Sequence, residues 1–108
     1  MYNSDFEDAL EELLKALKNT DEFINYKSGF EQIQNDEYAM GCVESIRELN
    51  MKVMDLSEDE CEKESESIAS RMEELCSDTR VSDFILAEVD FSRMFQYITD
   101  KIVSALDE

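Results

Sequence analysis

The 108-residue chain carries 28 carboxylates against ten lysines and arginines, a formal charge of −18 at pH 7, and contains neither histidine nor proline. That balance repels nucleic-acid phosphate, and the missing histidine removes the commonest zinc ligand and the side chain best suited to proton transfer near neutrality. With 43% hydrophobic residues the chain has ordinary globular content, so one folded domain over residues 1–108 is expected, with a core modest enough to want a partner chain.

Ser4 and Glu7 have the spacing of a capping box, and Phe6, Leu10, Leu13, Leu14 and Leu17 follow at three- and four-residue intervals. The spacing predicts an amphipathic first helix from Asp5 to Lys18. Thr20 can cap a second helix, with Asp21 and Glu22 complementing its dipole and Phe23, Tyr26, Phe30 and Ile33 on its apolar face. Asn35-Asp36 opens a long third helix whose stripe of Ala39, Val43, Ile46, Leu49, Val53 and Leu56 takes it to about Asp55.

Ser57 and Glu60 form a second capping box, starting a fourth helix with a sparse apolar face of Cys61, Ser65, Ile68, Met72 and Leu75. So little separates helices three and four that an antiparallel hairpin with its tip near Leu56-Ser57-Glu58 is expected. After Cys76-Ser77-Asp78-Thr79 comes the strongest stripe, including Val81, Phe84, Ile85, Glu88, Phe91, Phe95, Ile98, Ile102 and Leu106. No segment alternates with period two, so strands are not predicted. The fold class read from these patterns is all-α: a five-helix array with a long antiparallel hairpin of helices three and four and a C-terminal core helix. Leu10, Leu17, Phe23, Phe30, Ile46, Phe84, Phe91, Phe95 and Ile98 are the expected core. Gly29 and Gly41 interrupt helical patterns at about 1 kcal/mol each relative to alanine, either to admit a close helix crossing or as tolerated residues.

Chemistry finds little footing. The acidic runs around Glu58-Asp59-Glu60 and Asp5-Glu12 lack the D-x-D-x-D-G calcium loop, and consecutive carboxylates on a helix diverge, so solvated helix faces are the simpler reading. Glu-x-x-His pairs, a G-x-S-x-G elbow and glycine-rich phosphate loops are all missing. Cys42, Cys61 and Cys76 form no C-x-x-C pair and read as reduced, small apolar residues. No enzyme activity, metal or cofactor is therefore expected. Met40, Met51, Met54, Met72 and Met94 fit core packing better than an adaptable surface, except near the hairpin tip. There Met51, Met54, Val53, Leu56 and Ile68 are the candidate interaction surface. No run approaches the roughly 18 apolar residues of a membrane span, and Met1-Tyr2-Asn3-Ser4-Asp5 lacks the basic and apolar regions of a signal peptide, so a cytoplasmic location is expected.

In the order and spacing of its elements the chain resembles the YlbF/YmcA family of small helical bacterial proteins, from about Phe6 to Leu106. The carriers are Ala16-Leu17, Thr20-Asp21-Glu22-Phe23, Ile33-Gln34-Asn35-Asp36-Glu37 before the long helix, and Asp78-Thr79-Arg80-Val81-Ser82-Asp83-Phe84 with Ala87-Glu88 leading into the last one. The resemblance implies a protruding helical hairpin, assembly as a dimer or higher oligomer, and a regulatory role. Two family members act with an unrelated protein on competence, sporulation and biofilm formation through messenger-RNA processing, and carry C-terminal cysteines implicated in iron–sulfur binding. This chain has no cysteine beyond Cys76 and is closer to the YheA-type members. The leading expectation is a homo-oligomeric regulatory or scaffolding protein that also engages other regulatory proteins, without direct nucleic-acid, membrane or small-molecule partners. The alternative is an acidic mimic of nucleic acid that occupies a basic groove.

Overall fold

The computed structural model describes residues 1–107. Over these the chain forms five α-helices: α1 Ser4–Lys18, α2 Asp21–Ile33, α3 Glu37–Asp55, α4 Glu58–Leu75 and α5 Thr79–Leu106. Each helix opens on a polar side chain that accepts a first-turn amide: Asn3, Thr20, Asp36, Ser57 and Asp78. These caps satisfy donors that have no partner within the helix. At Ser57 the capping box is complete, since Ser57 Oγ accepts the Glu60 amide at 3.2 Å and Glu60 Oε1 accepts the Ser57 amide at 3.4 Å. At α1 the expected Ser4–Glu7 box gives way to Asn3. The Asn3 backbone is extended, its Oδ1 accepts the Phe6 amide at 2.8 Å, and Ser4 is already helical.

The core forms where α2, α3 and α5 meet, with Ile33, Ala39, Val43, Ile46, Val81 and Phe84 buried and Leu75 closing it from α4. α2 runs antiparallel to α5 through a ladder of rings. Phe23 lies 6.0 Å from Phe91, Tyr26 lies 5.6 Å from Phe84 and 5.1 Å from Phe91, and Phe30 lies 6.1 Å from Phe84. Such contacts add to the area that the rings bury. Among the residues expected in the core, Ile46 and Phe84 are buried, while Leu17, Phe23, Phe91 and Ile98 are half-buried. Leu10, Phe30 and Phe95 retain 40%, 38% and 54% of their exposure and are not core residues of the single chain. Helical spacing marks an apolar face without saying which element covers it, and α1 and the second half of α5 extend beyond the α2–α3–α5 core.

The two glycines have different surroundings. A Cβ built on Gly29 would lie 3.3 Å from the Phe84 ring and 3.4 Å from Phe84 Cα, whereas one on Gly41 meets nothing within 4 Å. Gly29 therefore permits the close α2–α5 crossing. Gly41→Ala is expected to stabilise the fold by about 0.5–1 kcal/mol, the usual helix-propensity gain. Gly29→Ala should gain less or lose stability, because its methyl group pushes on Phe84; urea unfolding midpoints of the two variants would order them.

Arg80 ties three helix ends together. Its guanidinium donates to the Asp36 cap of α3 at 2.8 Å, to the Asp78 cap of α5 at 2.7 Å, and to the Gln32 carbonyl at the end of α2 at 3.4 Å. Hydrogen bonds from Arg80 hold both carboxyls below the ordinary aspartate range. A depressed folded-state pKa contributes stability that is present above the unfolded value and lost as pH falls through the folded one. The stability difference between wild type and Arg80→Ala should thus be constant near neutrality and shrink only below the ordinary aspartate pKa. Denaturant titrations across that acid range test it, and a difference that already vanishes at neutral pH would contradict the assignment.

Candidate interaction surfaces

Two long apolar faces remain uncovered within the chain. The first is α1, which has no buried residue. Its Phe6, Leu10, Leu13 and Leu14 are 52%, 40%, 38% and 46% exposed. The second lies on α5, where Val81, Phe84, Glu88, Phe91, Phe95, Ile98, Ile102 and Ala105 follow one another at alternating intervals of three and four. That is the 3.5-residue seam of a helix built to pack lengthwise against others. Its first half is used internally: Val81 and Phe84 enter the core, and Glu88 accepts a hydrogen bond from Arg47 of α3 at 2.6 Å. α2 reaches the seam at the Phe23–Phe91 contact. Beyond it Phe95, Ile102 and Leu106 are 54%, 50% and 79% exposed. The stripe on α1 repeats the pattern at Phe6, Leu10, Leu13 and Leu17.

The hairpin of α3 and α4 is a third surface. Cys61 Sγ lies 3.8 Å from the Val53 carbonyl at one end, and Leu75 lines a groove with Gly41 and Cys42 at the other, so the two helices run antiparallel. The expected interaction residues divide here. Met51 and Met54 are 68% and 84% exposed, but Val53, Leu56 and Ile68 are half-buried. The hairpin consumes part of its own apolar face. Around its tip Glu58, Asp59, Glu60 and Glu62 crowd the first turns of α4 with negative charge.

Among the described residues no group of three or more potential ligand side chains is placed to hold a metal ion. Cys42 is buried and Cys61 and Cys76 are half-buried, all as free thiols. A shallow groove between α2 and α5 is lined by Asn25, Ser28, Gln32, Arg80, Asp83 and Asp90 among others, but its only cation is already engaged by Asp36 and Asp78. No helix of the described residues is long and apolar enough to cross a membrane.

Residues 6–107 match the family described as control of competence regulator ComK, YlbF/YmcA. The chain belongs to the YlbF/YmcA family. No curated protein and no solved structure matches it. The match covers almost the full length of the chain, and the family's description attaches a regulatory role to the family. The uncovered seam on α1 and α5 was hidden from a reading that treated each stripe as intrachain core. The shared three-and-four repeat on two different helices is the signal that identifies it.

Proposed function

We propose that this YlbF/YmcA-family chain is a non-enzymatic cytoplasmic regulator of the YheA type that works by protein–protein contact. The observation that carries the reading is the family match over residues 6–107 to proteins described as controlling the competence regulator ComK. The exposed apolar faces of α1, α5 and the hairpin tip support it. The regulatory contact falls on the tip, where Met51 and Met54 supply adaptable apolar contact and the α4 carboxylates favour a partner with a basic rim. A bacterial host lacking the chain should show altered competence-regulator output, restored by the wild type and not by Met51→Lys/Met54→Lys. Full complementation by that doubly charged variant would place the contact elsewhere. Unchanged output on deletion would remove the regulatory reading. The acidic-mimic alternative differs in one respect: nucleic acid would compete for the partner.

A further inference from the structure

The distal half of the hairpin is held to α3 by very little. Over residues 58–67 the chain has six carboxylates, one lysine and no hydrophobic residue other than Cys61. Glu58 and Glu62, Glu60 and Glu64, and Glu62 and Glu66 stand four residues apart on one helix, where like charges repel, and Lys63 offsets only part of this toward Asp59 and Glu66. α4 as a whole has eight carboxylates against Lys63 and Arg71, and it packs on a helix that is itself net negative, with Glu37, Glu44, Glu48 and Asp55 against Arg47 and Lys52. Docking α4 therefore brings like charge together.

The seam between the two helices is weak in the same place. The covered residues of α4 are Cys61, Glu64, Ile68, Met72 and Leu75, at intervals of three and four, and of these only Leu75, at the far end from the tip, is fully buried. Glu64 thus stands where that spacing calls for an apolar side chain, and it belongs to none of the ion pairs among the described residues. Cys61, whose Sγ lies 3.8 Å from the Val53 carbonyl, is the one apolar member of the seam between Leu56 and Ile68. The complete capping box at Ser57 and the acidic first turn favour a helical start, but a short helix without packing is marginal in water. Few buried apolar contacts place such a segment at the low end of local stability.

We propose that residues 58–67 are a charge-gated element: their own carboxylates hold this half of α4 near the point of undocking from α3, and a polycationic surface docks and orders it. Undocking uncovers Val53, Leu56 and Ile68, which are half-buried in the closed hairpin. This rests on the reading that the regulatory contact falls on the hairpin tip, and says how the tip responds. A partner with a basic rim meets an acidic segment that becomes ordered on contact, so that binding and closure of the hairpin are one equilibrium.

Hydrogen–deuterium exchange along the full chain, at fixed pH, tests it. At an ionic strength of about 0.01 M, amides of residues 62–67 should exchange within about tenfold of an unfolded peptide, while those around Phe84 stay protected by about a hundredfold or more. Sodium chloride at about 0.15 M, or spermine added at low ionic strength as a small polycation, should slow the 62–67 amides about tenfold. Glu64→Gln should slow them at least about threefold at low salt and Glu64→Leu about tenfold, since the first removes a repulsive charge and the second also fills the seam. Glu11→Gln, which removes one carboxylate from α1, should leave them within about twofold. The amides around Phe84 report in each sample that the fold is intact. Amides 62–67 as protected at low salt as those around Phe84, exchange indifferent to salt and spermine, or a Glu64→Gln protein that exchanges no more slowly than Glu11→Gln would each overturn the gating. The regulatory reading would survive any of these results, since it stands or falls on competence-regulator output and on complementation by the hairpin variant. A gated hairpin in a chain whose deletion leaves that output unchanged would separate the two in the other direction.

Discussion

Phe84→Ala should bring the chain to the edge of unfolding at room temperature. Phe84 is 2% exposed and sits where the helices meet. Gly29 of α2 passes against its Cα and ring, Tyr26 stacks on it at 5.6 Å, and Phe30 tilts over it at 6.1 Å. Removing a buried phenylalanine side chain costs about 3–5 kcal/mol, because the surroundings relax only partly into the cavity. Small domains have only about 5–15 kcal/mol of total stability, and the modest core here argues for the lower end. Phe95→Ala provides the internal comparison, since that ring is 54% exposed and its loss should cost far less stability. Circular dichroism with denaturant titration would decide. A Phe84→Ala protein whose unfolding midpoint stays close to wild type would mean that the α2–α5 crossing is not the structural centre.

The parts of this fold that were legible in the sequence are the ones governed by local physics. Capping chemistry fixes helix starts within a residue, so Thr20, Asp36 and Ser57 each stand just before a helix, and only the Ser4 box was displaced, by Asn3 one position earlier. Burial was less legible, because it depends on which element lies opposite. Phe84 and Phe95 belong to the same stripe of α5, yet one is buried under α2 and the other lies past its end. Leu10 has the spacing of a core leucine and no intrachain partner that buries it. Arg80 carried no sequence signal for its role, since its two aspartates cap different helices and meet only in the folded chain. The hairpin methionines show the same limit from the other side: their exposure follows from where the α3–α4 tip stands, while Val53 and Ile68, on the same two helices, turn inward.

Raising salt should stabilise this protein, opposite to the sign expected for a fold held by ion pairs. Among the described residues every ion pair is partly or largely exposed; Lys15–Glu12 and Arg71–Glu74, for example, keep at least half of their side-chain exposure. Exposed pairs contribute about 0–1 kcal/mol each, and screening them loses little. Self-repulsion is the larger quantity, since 28 carboxylates share a body with a longest extent of 53 Å. At very low salt the Debye length is about 30 Å and most of these charges act on one another, whereas near physiological ionic strength it falls to about 8 Å and only neighbours remain coupled. Folding compacts the −18 chain and is therefore opposed by that field. Relief of even about 1–2 kcal/mol would raise the thermal midpoint by roughly 5–15 °C for a domain of this size. Thermal melts in a non-specific salt such as sodium chloride, at fixed pH and protein concentration, would measure it. A midpoint that falls with added salt would show that the ion pairs, and not the excess negative charge, dominate the electrostatics of this fold.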